Sequence, residues 1–463
     1  MAPMAVKYLS LRCPQEYAGY RQSVRVQELI MQIGKNEELR EWTRKVIEKM
    51  PNLTKPQAVV LAMWSFGIVM TQSSGLTTVA AFLAKLLGKK ENTLRQQLRE
   101  WYWDAEDKTK TGRASLDVTS CFIPLLVWIL SLWPEGEKRL ALAADASTLS
   151  DRFTVLAISI VYRGCGIPIA WKIVEATKPG SWKPYWQQLF SHISGAIPED
   201  WFVIVTADRG LYADWMYEQI QSAGWHPFLR INQIGLFKKQ GEHLWQSLNT
   251  LVPKLGQSCS CKVTCFKTNS IECTLLARYD EGYTDPWLIV TDLHPETADA
   301  CWYSMRSWIE CLFKDSKRGG FCWHQTKIIN PSRAERQWLA IAIATLWQIC
   351  VGGACDANLP VSGFDELPEN HVARRNSKGN LPHRCLSCFR RGYITIKAAI
   401  LNRLPLPLGG FFPLTLAFLT SKARCFPKYP LYCLNCKYLP LKVPPSPLRT
   451  GRAPRNASGS SKS

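Results

Sequence analysis

The chain has 463 residues, 46% of them hydrophobic. At about 100 to 200 residues per domain, this suffices for two to four globular domains. The 57 basic and 37 acidic residues give a net charge of +20, which favours an anionic polymer as partner. We find no run of about 20 uninterrupted apolar residues and expect no membrane segment. Residues 1–20 lack the pattern of a secretory signal, so we expect a cytoplasmic protein.

The first part of the chain is predicted to be all-helical. Residues 25–133 carry apolar positions every three or four residues, without the alternation typical of strands. This pattern predicts an N-terminal helical domain over residues 1–135. Within it, residues 77–87 and 92–102 flank the turn that begins at Gly88, a spacing that suits a helix-turn-helix.

The second helix of this pair has one apolar face, which we expect to point inward. Its other face leaves Arg95, Gln96 and Arg99 available to contact base edges and phosphates. An ordinary helical hairpin within an all-helical domain is the alternative.

A second domain is predicted over residues 136–351. From Leu140 the pattern changes to short strands and helices in the order β-β-β-α-β-α-β, separated by Gly, Pro and charged turns. Residues 233–297 look like a β-rich insertion. Helical periodicity returns over residues 298–317 and 331–351, so the domain belongs to the α/β class, with helices flanking a sheet.

The last part of the chain is strongly basic. Residues 352–439 are predicted to be partly helical, and residues 440–463 are rich in Pro, Arg and Ser, which predicts disorder. Two Cys-x2-Cys pairs could bind zinc, although buried thiols that bind no metal are the alternative. These pairs are Cys385, Cys388, Cys433 and Cys436. The arginines expected to contact a DNA backbone, or otherwise to form a solvated surface, are Arg374, Arg375, Arg390 and Arg391.

Two aspartates follow apolar runs that predict buried strands. Asp145 comes after Leu140-Ala-Leu-Ala-Ala, and Asp208 comes after Phe202-Val-Ile-Val-Thr-Ala. We therefore expect both carboxylates at strand ends on one rim of the sheet. A single Asp at such a position is more commonly a cap of the following turn, so the case depends on their combination.

A third carboxylate, Glu310, lies on the helix predicted over residues 298–317. Steps of three, four and seven residues place it on one helical face with Tyr303, Arg306 and Lys317. Three carboxylates that converge without a neutralising base would repel one another unless cations bind them. Oxygen-only ligation favours two Mg²⁺ or Mn²⁺ ions, which suit displacement at a phosphodiester.

The segment from Tyr303 to Lys317 carries a motif, Tyr-x2-Arg-x3-Glu-x6-Lys. With the β-rich insertion before it, the chain resembles the DDE transposases of bacterial insertion sequences. The resemblance implies an RNase H-like catalytic core, interrupted by the insertion and preceded by a helical DNA-binding domain. It also implies that the triad of Asp145, Asp208 and Glu310 is catalytic and holds two Mg²⁺ or Mn²⁺ ions.

The same resemblance assigns roles to neighbouring residues. Arg306 and Lys317 would contact phosphates near the cleaved bond, and Tyr303 would hydrogen-bond the same backbone; helix-surface ion pairs are the alternative. Trp287 is similar to an aromatic that stacks on a flipped base in some members. Packing in the core is the commoner role of a Trp beside an apolar strand.

These features predict a transposase that cuts and joins double-stranded DNA, acting on the element's terminal inverted repeats and on target DNA. We expect a homodimer assembled on DNA, nucleoid-associated in a bacterial cytoplasm, with no membrane partner. One alternative is a catalytically silent DNA-binding protein derived from a transposase. The other is an RNase H-like nuclease that cuts DNA without joining it.

Overall fold

The computed structural model describes residues 36–109, 114–177, 180–280, 283–357 and 386–412. Ten α-helices lie within these residues. They are α1 Glu37–Lys49, α2 Lys55–Thr71, α3 Leu76–Leu87, α4 Glu91–Tyr102, α5 Phe122–Ser131, α6 Lys183–Ile193, α7 Asp214–Ser222, α8 Trp308–Ser316, α9 Pro331–Ala357 and α10 Cys388–Leu401.

The first five helices form the helical N-terminal region that the periodicity predicts. Local signals set their ends: Thr54 and Gln57 make reciprocal capping hydrogen bonds at the start of α2. Gly88 ends α3 in the left-handed conformation, with φ 62°, which glycine adopts without strain. The chain then turns directly into α4, so α3 and α4 form the predicted helix pair.

A ten-stranded mixed sheet forms the centre of the molecule, in the order β3-β2-β1-β4-β5-β10-β9-β8-β6-β7. Strand β2 runs antiparallel to β1 and to β3, so β3 runs parallel to β1, as β4 and β5 do. The first five strands have the RNase H-like order, so the predicted fold is confirmed. The strands are β1 Arg139–Leu149, β2 Phe153–Tyr162, β3 Cys165–Glu175, β4 Phe202–Ala207, β5 His226–Arg230, β6 Leu236–Lys239, β7 Gln246–Ser247, β8 Ser258–Cys265, β9 Ile271–Arg278 and β10 Trp287–Thr291.

The strands of the predicted insertion extend this sheet instead of forming a separate layer. Strand β10 pairs antiparallel with β5, and β9, β8, β6 and β7 follow outward. The insertion therefore widens the sheet beyond β5.

Helix α9 packs on β3, on α2 and on α10, and so joins the sheet to the helical N-terminal region. It is long and apolar enough to span a bilayer, but 89% of its most apolar window is buried within the protein. That burial is typical of the central helix of a globular core.

The prediction of a single helix over residues 298–317 is wrong in one respect. The chain forms a 3-10 helix over Ala300–Ser307 and becomes α-helical only at Trp308. In the 3-10 segment the rings of Trp302 and Tyr303 are buried against Phe228 and Trp287, respectively. Three residues per turn place these side chains differently from an α-helix, and the burial of both rings favours the tighter winding.

Candidate active site

Asp145 and Asp208 occupy equivalent positions on neighbouring parallel strands. The last register pair between β1 and β4 is Ala144 with Ala207, and each aspartate directly follows one of these alanines. Equivalent positions on parallel strands point to the same face, about 4.8 Å apart. The prediction that Asp145 lies at the end of its strand is wrong, because β1 stays paired with β2 as far as Leu149.

Glu310 reaches the two aspartates from a helix that packs on the sheet. It lies in the first turn of α8, which packs against β1, β2 and β3. This approach is close because β3 carries Gly166 at the crossing. A Cβ added there would lie 3.2 Å from the Cα of Ile309 and 3.1 Å from the Cβ of Leu312.

The Arg306 guanidinium joins the three carboxylates. Its Nη2 lies 2.9 Å from Asp145 Oδ2 and 3.2 Å from Asp208 Oδ2, and its Nη1 lies 2.6 Å from Glu310 Oε1. The three carboxylates therefore converge, as the sequence predicts. They converge around a basic side chain, whereas the sequence predicts a cluster without one. In this structure the arginine contributes the positive charge that the three acids require.

The electrostatics of Asp145 follow from its surroundings. Burial raises the pKa of its carboxyl to about 6, although Arg306 and the backbone N–H of Ala146 oppose the shift. The neighbouring charges of Asp208 and Glu310 raise it further. Because burial disfavours the ionised carboxyl, a cation bound beside it would stabilise that charged form.

Lys317, at the end of α8, extends to β1. Its ammonium donates to Ser147 Oγ at 2.7 Å and to the carbonyl oxygen of Thr148 at 2.6 Å. Burial lowers its pKa to about 8. Lys317 therefore lies two to three residues along β1 from Asp145, outside the ring of acids around Arg306.

Tyr303 and Trp287 lie beside the site as a packed pair. Their ring centroids are 5.2 Å apart at 72°, and the ring centroid of Tyr283 lies 5.0 Å from that of Trp287. Trp287 is 8% exposed, and burial raises the pKa of Tyr303 to about 12. In this conformation the Trp287 ring is a core side chain, so stacking on a base would require it to leave both contacts.

On α4, the apolar residues Leu94, Leu98 and Trp101 are buried, as predicted. Arg95, Gln96 and Arg99 lie on the partly exposed faces, with Gln96 donating to Glu100 and Arg99 placed 5.6 Å over the ring of Trp103. The sheet triad and this helix are separate sites.

A cleft of about 500 Å³ lies between the helical N-terminal region and the segment after α8. Arg99 and Trp103 line one side, and Lys327 and Arg333 line the other. No acidic side chain is among its lining residues. The sequence assigns no role to Lys327 and Arg333, because only folding brings residues 73–103 next to residues 322–337.

A second acidic group lies nearby: Asp104, Glu106 and Asp107 have carboxylate oxygens within 4.8 Å of one another. Two of the three are already neutralised, since Arg333 pairs with Asp104 and Asp107, and Arg336 donates to Asp104 at 2.7 Å. We interpret this group as an ion-pair network between the end of α4 and α9.

The predicted zinc ligands and basic residues of the tail are only partly within the described residues. Cys388 is buried, with its thiol 3.7 Å from Asp356 Oδ2, and Arg391 Nε lies 3.7 Å from the same carboxylate. Arg390 donates to Gln72 Oε1 at 3.2 Å. The remaining residues of these two predictions lie outside the described ranges: Cys385, Cys433, Cys436, Arg374 and Arg375.

The donor set at the triad fits a hard divalent cation. Asp145, Asp208 and Glu310 offer carboxylate oxygens, the ligands that Mg²⁺ and Mn²⁺ prefer, and no sulfur or imidazole nitrogen is part of the cluster. Each of these three carboxylates now pairs with Arg306 through one of its oxygens.

Residues 145–347 match the family described as transposase DDE domain. No curated protein matches the chain. Among solved structures, a piggyBac transposase synaptic complex with hairpin DNA is similar at 12% identity, covering 69% of this chain and 80% of that chain, with a TM-score of 0.27. So loose a superposition contributes nothing to the assignment of the site, which depends on the family match and the geometry. Residues 145–347, which contain all three carboxylates, are therefore similar to a transposase DDE domain.

Proposed function

We propose that the protein is the transposase of a bacterial insertion sequence, which binds the ends of its element and cuts and joins DNA with divalent metal. A transposase DDE domain supports a transposase function. The observation that carries the catalytic proposal is the convergence of Asp145, Asp208 and Glu310 on the Arg306 guanidinium, beside the adjacent parallel strands β1 and β4.

In this proposal the three carboxylates hold two Mg²⁺ or Mn²⁺ ions, which would polarise the scissile phosphate and activate the attacking water or 3′-hydroxyl. Arg306 and Lys317 bind the non-bridging phosphate oxygens on either side of the reacting bond. The chain contributes orientation, because Lys317 is fixed to β1 by two hydrogen bonds and Glu310 is fixed by the packing of α8.

The proposed DNA contacts include both α4 and the basic cleft. Arg95 and Gln96 lie on the partly exposed side of α4, and Arg99 extends from the same helix into the cleft that Lys327 and Arg333 line. A duplex backbone that follows this line would contact both the helical region and the segment after the triad. The net charge of +20 favours such a partner and predicts strongly salt-dependent binding.

The test is metal-dependent cleavage of double-stranded DNA that carries the ends of the element. Glu310→Gln keeps the size of the side chain but removes a ligand charge, so we expect cleavage to fall by at least about 100-fold. Glu296→Gln is the matched control, because Glu296 is 88% exposed and contacts no member of the triad. Equal cleavage by wild type and Glu310→Gln would refute the catalytic assignment.

The products separate the two alternatives. A transposase yields joined molecules in which the 3′ end of the element is linked to target DNA, whereas a nuclease yields only cut ends. A silent DNA-binding protein yields neither and still binds the duplex.

Crosslinking on DNA would test the proposed homodimer, since two ends must be processed together.

A further inference from the structure

Arg306 occupies a position that its proposed role cannot share with metal. The resemblance assigns its guanidinium to DNA phosphate, yet both terminal nitrogens are engaged by carboxylates and the side chain is only 15% exposed. The oxygens it binds belong to all three proposed metal ligands. Metal and Arg306 therefore compete for the same three carboxylates.

The competition has a clear electrostatic basis. Three clustered carboxylates require positive charge, and one guanidinium partly neutralises them. An ion that the three carboxylates coordinate at about 2.0 to 2.1 Å would lie close to the guanidinium and repel it, since both are positively charged. Metal affinity is lowered by the free energy of moving Arg306 out.

A phosphodiester offers Arg306 an alternative partner. Guanidinium groups bind phosphate with two parallel hydrogen bonds, as they bind carboxylate. The Nε of Arg306 is buried and has no acceptor among the described residues, so one donor is unsatisfied in the present state. Arg306 also lies in the 3-10 segment directly before α8, and such segments within a helix often mark hinges.

We propose that Arg306 is an internal counter-ion that keeps the triad closed to divalent metal until a DNA phosphate draws the guanidinium away. Metal and DNA then bind cooperatively, and the active site is completed only on its substrate. By linkage, the factor by which DNA tightens metal binding equals the factor by which metal tightens DNA binding. This inference rests on the proposed function of the triad.

The experiment measures Mn²⁺ affinity by electron paramagnetic resonance on the full chain, with and without a 30-base-pair DNA duplex. For wild type we expect the duplex to tighten Mn²⁺ binding at least tenfold. Arg306→Gln should bind Mn²⁺ at least tenfold more tightly than wild type without DNA, and should gain little from the duplex. Arg209→Gln is the matched control, since Arg209 pairs with Asp285 near the same rim and touches no triad carboxylate.

Asp145→Asn distinguishes failure of the inference from failure of the proposed function. If Mn²⁺ binding is lost in Asp145→Asn but is equal in wild type and Arg306→Gln, the triad holds metal and the counter-ion role is wrong. If no binding depends on Asp145, the metal site itself is wrong. Arg306→Lys is the second variant, should Arg306→Gln fail to fold. It retains the charge but cannot bind a phosphate with two parallel hydrogen bonds. Metal–DNA coupling as strong as in wild type would then contradict the proposal.

Discussion

Lys317 is the basic side chain at this site whose protonation changes nearest neutral pH. Burial lowers its pKa to about 8 from the ordinary lysine value of 10.5, so it carries its charge below pH 8 and loses it as the pH rises through 8. If the ammonium binds a DNA phosphate, affinity must fall above pH 8, by up to about tenfold per pH unit for one linked proton. Fluorescence anisotropy of a labelled duplex between pH 7 and pH 9 measures this.

Two substitutions make the Lys317 prediction specific. Lys317→Arg should bind with a flat pH profile, because a guanidinium stays charged above pH 12. Lys317→Gln should bind weakly at every pH, with the salt slope reduced by about 1. Lys327→Arg, at an exposed position, should keep the wild-type profile. A wild-type profile in Lys317→Arg would show that another group titrates.

At the scale of elements, the position of Glu310 depends on how closely α8 approaches β3. The Cβ of a residue other than glycine at position 166 would already lie 3.1 to 3.4 Å from atoms of α8, two of them backbone. Gly166→Val adds two methyl groups at that crossing, so α8 must shift and move Glu310. Since a displacement of about 1 Å can cost 100-fold in rate, we expect cleavage to fall at least tenfold.

The readout for Gly166→Val combines the cleavage rate with Mn²⁺ affinity, because a displaced Glu310 affects both. Gly410→Val is the control: its nearest atom to an added Cβ is 3.8 Å away, on the side chain of Phe412. Wild-type cleavage in a folded Gly166→Val protein would mean that α8 does not position the glutamate.

At the scale of the whole molecule, the ion-pair network at Asp104 joins the helical N-terminal region to α9. Arg336 is buried, donates to the carbonyl oxygens of Tyr102 and Leu116, and pairs with Asp104. Arg336→Gln leaves these acceptors short of donors, and removing one partner of a buried pair costs about 3 kcal/mol. We expect a lower melting temperature and early proteolysis between α4 and α5.

Arg318→Gln is the comparison for Arg336→Gln, because it removes the same charge from an exposed position. Limited proteolysis followed by mass spectrometry locates the first cut. If both variants are cleaved at the same sites and rates as wild type, the network does not hold the two parts of the molecule together.

Local pattern was sufficient for much of the fold and for the prediction that three particular carboxylates converge. The apolar runs before Asp145 and Asp208 predict adjacent buried strands, and the spacing of the motif from Tyr303 to Lys317 selects Glu310. Both signals depend on residues close in the chain, where strand alternation and helical steps fix side-chain direction. The β-rich character of residues 233–297 was likewise a local property.

Tertiary contacts decided the rest. The position of Arg306 among the carboxylates depends on the 3-10 winding of its segment, which buried rings from distant strands favour. The burial of Trp287 and the assembly of the basic cleft also require residues far apart in sequence to meet. By itself the sequence predicted which acids converge; only the packed structure decided that the Arg306 guanidinium lies between them, because periodicity specifies a side chain's direction and not its long-range partner.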